Sequence, residues 1–204
     1  MKKKVLIIDN YDSFVWNLYQ AVGKFAGHPE MFRNDGISID QIRQKKFTHI
    51  IFSPGPGSPE KAKDIGVCLD ILREVKLPIF GVCLGFQAIA YFFGQKIIHA
   101  PQIFHGKTSL IKLTTDGEKS PIFTGIPNEF QVMRYHSLVP DEVPNGFKLT
   151  SQTEDQLMMS FEDRQRNIFG VQFHPESFAT EYGEKMLANF LKINTGMGIM
   201  NDEL

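Results

Sequence analysis

Short β-rich runs alternate with helical patterns through the first half of the chain, and this alternation restricts the fold more than any other feature. Strand-like runs at residues 4–8, 48–52 and 78–82 are each followed by a helical pattern, at 14–25, 67–75 and 87–93. That rhythm builds βαβ units around a parallel sheet. Runs such as VLII and PIFGV are apolar almost without interruption, as expected of strands covered by helices on both faces. Asp12 or Ser13 is placed to cap the first helix, and Gly94 to end the third. Beyond Lys107 the rhythm changes to short β runs (TSLIKL, EFQVMRY, FKLTSQ, LMMSFE, IFGVQF) separated by clusters of Gly, Pro, Asn and Asp, which add antiparallel strands or extend the sheet. A last helix near 181–192 carries Met186, Leu187, Phe190 and Leu191 on one stripe. The expectation is an α/β fold in a single domain over residues 1–195. Its mostly parallel central sheet is flanked by helices, with additional antiparallel strands in the second half and a frayed tail over 196–204.

Composition removes several function classes. With 204 residues and 42% hydrophobic content, one core is the natural arrangement. A formal net charge of -1 with scattered basic residues gives no footprint for nucleic acid or anionic lipid. The opening MKKKVLIID meets Asp9 after too short an apolar run for a signal peptide, and no stretch reaches the roughly 20 apolar residues of a membrane span. Two cysteines do not make a secreted disulfide framework, so the expected compartment is the cytoplasm.

The segment at 77–93, LPIFGVCLGFQAIAYFF, places Gly81-Val82-Cys83-Leu84-Gly85 between a predicted strand and a predicted helix. G-x-C-x-G makes the same demand as a G-x-S-x-G nucleophile elbow. A sharp strand-to-helix turn projects the nucleophile, and small residues two positions either side let the chain fold tightly. The helix N-terminus favours a thiolate, and the backbone N–H of Leu84 is placed to bind an oxyanion. The competing assignment is a buried structural cysteine, which is how Cys68, inside a helical pattern without flanking glycines, is read.

A thiol nucleophile needs a base held by a third group. His174 ends the run IFGVQF and is followed by Pro175 and Glu176. In extended chain, residues i and i+2 share a face, so Glu176 could fix the imidazole tautomer and leave the other ring nitrogen for the thiol proton. The alternative is a strand-end histidine beside a solvated glutamate. No metal is expected: neither H-E-x-x-H nor the P-C-x-x-C partner of a zinc deaminase is present, and Asp9 and Asp12 have a simpler role in capping.

After the strand at 48–52 comes Ser53-Pro54-Gly55-Pro56-Gly57-Ser58-Pro59, a stiff loop at the carboxyl end of a parallel strand, where open α/β sheets place their sites. The N–H of Gly57 could be a second oxyanion donor; a plain surface turn is the alternative. Gly106-Lys107-Thr108 looks like the end of a Walker A motif, but Pro101 stands where its first glycine belongs. The first strand is followed by DNYDSF rather than G-x-G-x-x-G, against a dinucleotide site.

Taken together, GVCLGFQ, QFHPES, SPGPGSP and DNYDSF resemble the class I glutamine amidotransferases over nearly the whole chain. DNYDSF, HGKTS and RYHSL are most similar to the branch that serves chorismate-using synthases, which make anthranilate or para-aminobenzoate. The resemblance implies a flavodoxin-like fold, with Cys83 as nucleophile, His174 as acid/base and Glu176 as orienting carboxylate. It implies that L-glutamine is held by Gly55, Pro56, Gly57, Gln87 and the backbone of Ser137 and Leu138, with Gly57 and Leu84 forming the oxyanion hole. It further implies that no cofactor is needed and that ammonia passes to a synthase subunit. Phe86 departs from the family, which commonly has histidine there. A stand-alone thiol hydrolase of peptide or γ-glutamyl bonds, or a non-catalytic binding subunit, are the competing functions.

Overall fold

The computed structural model describes residues 3–194, so the tail expected to fray at 196–204 lies outside the described residues. The first half runs β1 (Val5–Asp9), α1 (Val15–Ala26), β2 (Glu30–Arg33), α2 (Ile39–Lys45), β3 (His49–Phe52), α3 (Ala62–Ile65), α4 (Cys68–Glu74), β4 (Ile79–Val82) and α5 (Leu84–Phe92). The second half runs β5 (Ile97–His99), β6 (Lys107–Leu113), α6 (Thr115–Glu118), a 3-10 turn at Pro121–Phe123, β7 (Glu129–Arg134), β8 (Leu138–Pro140), β9 (Lys148–Thr153), β10 (Met158–Asp163), β11 (Ile168–Val171) and α7 (Gly183–Phe190).

Nine strands form one sheet in the order β2-β1-β3-β4-β11-β10-β9-β6-β7, and β5 pairs with β8 in a separate ribbon. From β2 to β11 every pairing is parallel, and from β11 to β7 every pairing is antiparallel. The order β2-β1-β3-β4 is that of a flavodoxin-like sheet, whose sites lie beyond the carboxyl ends of the strands. The expected mostly parallel sheet with antiparallel strands in the second half is therefore present. IFGVQF does not join the antiparallel set only: β11 lies parallel beside β4, with Val171 opposite Val82.

Alternation along each strand divides the core between two faces. Val5 and Ile7 pack with Leu18, Val22, Met186 and Phe190 under α1 and α7, while Leu6 and Ile8 pack with Ile42, Ile71 and Ile89 under α2, α4 and α5. The residue at the N-cap of α1 is Phe14, not Asp12 or Ser13; the Asp12 carboxylate instead accepts the Phe14 N–H at 3.1 Å. Gly94 follows α5 with φ +92°, the left-handed turn that ends a helix cheaply only at glycine.

Candidate active site

Three adjacent parallel strands, β3, β4 and β11, end on the same edge, and each delivers one part of the site. The 53–59 loop leaves β3, the Cys83 turn leaves β4 and the 172–176 segment leaves β11. Because Val82 is opposite Val171 and the Cys83 N–H donates to the Val171 carbonyl at 2.9 Å, the register sets Gln172 beside Cys83. His174, two residues on, shares that face.

The turn at Cys83 has the geometry that its glycines require. Cys83 adopts φ +51°, ψ -99°, a conformation that costs a non-glycine residue about 1–3 kcal/mol and is maintained only where the surroundings enforce it. A Cβ on Gly81 would lie 2.6 Å from the Gly85 carbonyl oxygen, and one on Gly85 would lie 2.6 Å from Phe52 Cβ. The elbow is therefore closed by contact between β3, β4 and the first turn of α5. The backbone N–H of Leu84 lies in that first turn, where donors have no partner within the helix.

His174 is held from several directions. Its backbone N–H donates to the Met133 carbonyl at 3.0 Å, its carbonyl accepts from Thr180 Oγ1 at 2.6 Å, and its Nδ1 lies 2.7 Å from Glu176 Oε1. Its Nε2 is buried and makes no hydrogen bond among the described residues. Burial opposes a charged imidazole here, but the nearby Cys83 sulfur and then Glu176 outweigh it and raise His174 well above its ordinary pKa. Asp12 belongs to the same electrostatic neighbourhood. Burial first, and then the charge of Glu176, push its carboxyl up to about 6.

Gly55, Pro56, Gly57, Cys83, Leu84, Gln87 and the 135–138 segment line one cavity of about 220 Å³. It suits a small polar molecule, being below the roughly 300–1,000 Å³ of drug-sized sites. A cleft of about 580 Å³ over β6 and β7 is larger but is lined by none of the site residues expected from the sequence. Gln87 Nε2 donates to the Leu138 carbonyl at 2.8 Å and to Gln172 Oε1 at 3.2 Å, which leaves the Gln87 carbonyl oxygen for a ligand. All ten site residues expected from the sequence thus converge on one region, with His174 and Glu176 behind the cavity wall.

Several residues at the site carried no expectation. Gln172 is fully buried with Nε2 3.7 Å from Cys83 Sγ, and the two-residue spacing from His174 was a usable signal. Tyr135 sets its ring against His174, with centroids 5.1 Å apart, and stacks on Phe14 at 5.7 Å. Arg134 packs behind the 135–138 wall, its Nε donating to Nε2 of the wall residue His136 at 3.0 Å. Phe86 points away from the cavity, fully buried and stacked on Phe161 at 4.2 Å.

Known proteins similar to this chain identify its family. Residues 6–194 match the family model described as glutamine amidotransferase class-I. Anthranilate synthase component 2 of Saccharolobus solfataricus is 50% identical over 189 residues, covering 91% of this chain and 96% of that protein. Aminodeoxychorismate synthase component 2 of Escherichia coli is 46% identical over 191 residues, covering 92% of this chain and 98% of that protein. The bifunctional protein TrpGD of Thermotoga maritima is 46% identical over 197 residues, and there the match spans 94% of this chain but 32% of the longer protein. Among solved structures, a Thermoplasma acidophilum protein assigned to GMP synthase shares the fold with a TM-score of 0.81 at 24% identity, covering 94% of this chain and 93% of the other. The chain belongs to the class-I glutamine amidotransferase family.

Proposed function

We propose that this chain is the glutaminase subunit of a chorismate-using synthase, hydrolysing L-glutamine to glutamate and ammonia and passing the ammonia to its partner subunit. The observation that carries the reading is the buried His174, whose Nδ1 is engaged by Glu176 while Nε2 stays unpartnered beside Cys83. An imidazole so arranged can take the thiol proton and return it. The relatives named for anthranilate and aminodeoxychorismate synthases support the choice of partner.

The chemistry follows from the residues. The Cys83 thiolate attacks the side-chain amide carbon of glutamine, and the backbone N–H groups of Gly57 and Leu84 receive the oxyanion. Protonated His174 gives its proton to the departing nitrogen, releasing ammonia and leaving a glutamyl thioester on Cys83. His174, now neutral, takes a proton from water as it attacks the thioester, and glutamate leaves as the thiolate is restored. Gly55, Pro56, Gln87, Ser137 and Leu138 hold the amino-acid end. Both cysteines are free, in keeping with a reducing cytoplasm.

Glutamate release is measured for the purified chain alone and with each candidate synthase plus chorismate, beside Cys83→Ala. Stimulation by the anthranilate synthase subunit, the aminodeoxychorismate synthase subunit or both, absent in Cys83→Ala, supports the reading and names the branch. Full activity of the chain alone points instead to a stand-alone thiol hydrolase. Cys83→Ser is expected to abolish glutamine-dependent synthesis while ammonia-dependent synthesis by the partner survives.

A further inference from the structure

Arg134 is 1% exposed, and among the described residues its nearest charge influence is Asp155 across the cleft over β6 and β7, which makes no ion pair with it. Its guanidinium carbon lies 3.2 Å from the centroid of the Phe104 ring, Nη1 donates to Ser109 Oγ at 3.0 Å, Nε donates to His136 Nε2 at 3.0 Å, and the buried Nη2 has no partner. Burying a charge without a counter-ion in contact is costly even after relaxation. An apolar side chain of similar size would fill the space more cheaply. The consequence of the charge is found at His136.

A guanidinium can only donate, so His136 Nε2 must accept, and the ring proton must sit on Nδ1. That Nδ1–H donates to the Leu138 carbonyl at 3.1 Å, the same carbonyl that accepts Gln87 Nε2. Burial, and then the Arg134 charge, hold His136 neutral, with its pKa pushed down to about 3. Without Arg134 the proton could move to Nε2. The bare Nδ1 would then face the Leu138 oxygen, acceptor against acceptor, and the Leu138 carbonyl would lose one of its two side-chain donors opposite Cys83.

We infer that Arg134 is a positioning residue for the amide substrate: by donating to His136 Nε2 it fixes the imidazole as its Nδ1–H tautomer, which anchors the Leu138 carbonyl and shapes the wall facing Cys83. Arg134 itself touches no substrate. The inference rests on reading the cavity as the glutamine site.

The test measures how fast iodoacetamide alkylates Cys83 in the full chain as glutamine is added, because the half-protecting concentration reports affinity without turnover. Arg134→Met is expected to raise that concentration about tenfold, the worth of one hydrogen bond, while the unprotected alkylation rate stays within about twofold. His136→Gln keeps an acceptor and a donor and is expected to stay within about threefold of the unsubstituted chain, whereas His136→Phe loses both and behaves like Arg134→Met. Should Arg134→Met not fold, the two His136 variants carry the comparison. Equal protection of Arg134→Met and the unsubstituted chain overturns the inference, as does His136→Gln failing as badly as His136→Phe. If glutamine does not protect the unsubstituted chain at all, the glutamine reading fails and takes this inference with it.

Discussion

His174 Nδ1 lies 2.7 Å from Glu176 Oε1, with the two side chains 5% and 2% exposed. A carboxylate buried against an imidazole orients the ring and favours its charged form, and both effects act on the neighbouring thiol. Glu176→Gln keeps the volume and removes the charge, so His174 loses one of the influences that raise its pKa. The expected result is a fall in glutaminase kcat of about 10²–10⁴-fold, the range for disabling an acid/base group or its orienting carboxylate, with little change in KM. Alkylation of Cys83 at pH 7 should slow in parallel, since His174 becomes a weaker acceptor for the thiol proton. Unchanged kcat in a folded variant would falsify the role given to Glu176.

The elbow makes a second prediction. Gly85 meets Phe52 so closely that a methyl group would sit 2.6 Å from both Phe52 Cβ and the Phe52 carbonyl oxygen. Backbone and core side chain must then shift, and overpacking of this kind costs about 1–3 kcal/mol. Gly85→Ala should therefore lower the urea midpoint and, because α5 is pushed off β3, slow Cys83 alkylation as well. Gly94→Ala serves as the contrast: a Cβ there meets nothing within 4 Å, though φ +92° keeps it strained. Its cost should appear in stability alone, with Cys83 reactivity unchanged.

Much of this arrangement is legible because its causes are local. Apolar runs that need cover on both faces mark β1, β3 and β4, and the glycines around Cys83 mark a turn that no bulkier residue tolerates. Elements with weaker local causes pass unseen. β2, EMFR, is an edge strand of intermediate burial without an apolar run, although the Ser38–Gln41 capping box before α2 was there to be read. β11 looks like its antiparallel neighbours until its pairing with β4 is known, because strand order is decided by long-range contacts. Arg134 carries no motif of its own: its importance lies in His136 and Leu138, and only the folded chain brings the three into one line of hydrogen bonds.

Phe86 supplies a third prediction. Its ring is fully buried, stacked on Phe161, and close enough to Gly170 that a Cβ there would lie 2.8 Å from it. Histidine at this position would bury ring nitrogens in an apolar setting, at a cost of about 1–3 kcal/mol when unsatisfied. Phe86→His should thus lower the melting temperature while leaving the protecting concentration of glutamine unchanged. A change in glutamine affinity without a change in stability would place Phe86 at the pocket, contrary to its packing.

The last prediction concerns pH and lies far from the cavity. His49 is fully buried on β3, edge-on to Phe190 with centroids 5.3 Å apart, its Nδ1 3.0 Å from Thr48 Oγ1 and its Nε2 3.0 Å from the Ile193 carbonyl. Burial, and then the charge of Lys3, push its pKa down to about 4, against the opposing bond to Ile193. In the unfolded chain the imidazole binds its proton near pH 6.5, so between about 6.5 and 4 the unfolded state holds more protons than the folded one. Stability from this group is therefore complete above 6.5 and is lost as the pH falls towards 4, at no more than about 1.4 kcal/mol per pH unit. Asp12, with its pKa raised to about 6, works in the opposite sense, since its contribution is lost as pH rises. The difference between the unsubstituted chain and His49→Gln cancels Asp12 and leaves His49 alone. Urea unfolding of both at pH 7, 6, 5 and 4 should show the gap between them narrowing on acidification; a gap independent of pH would mean that folding leaves the pKa of His49 unchanged, against its burial.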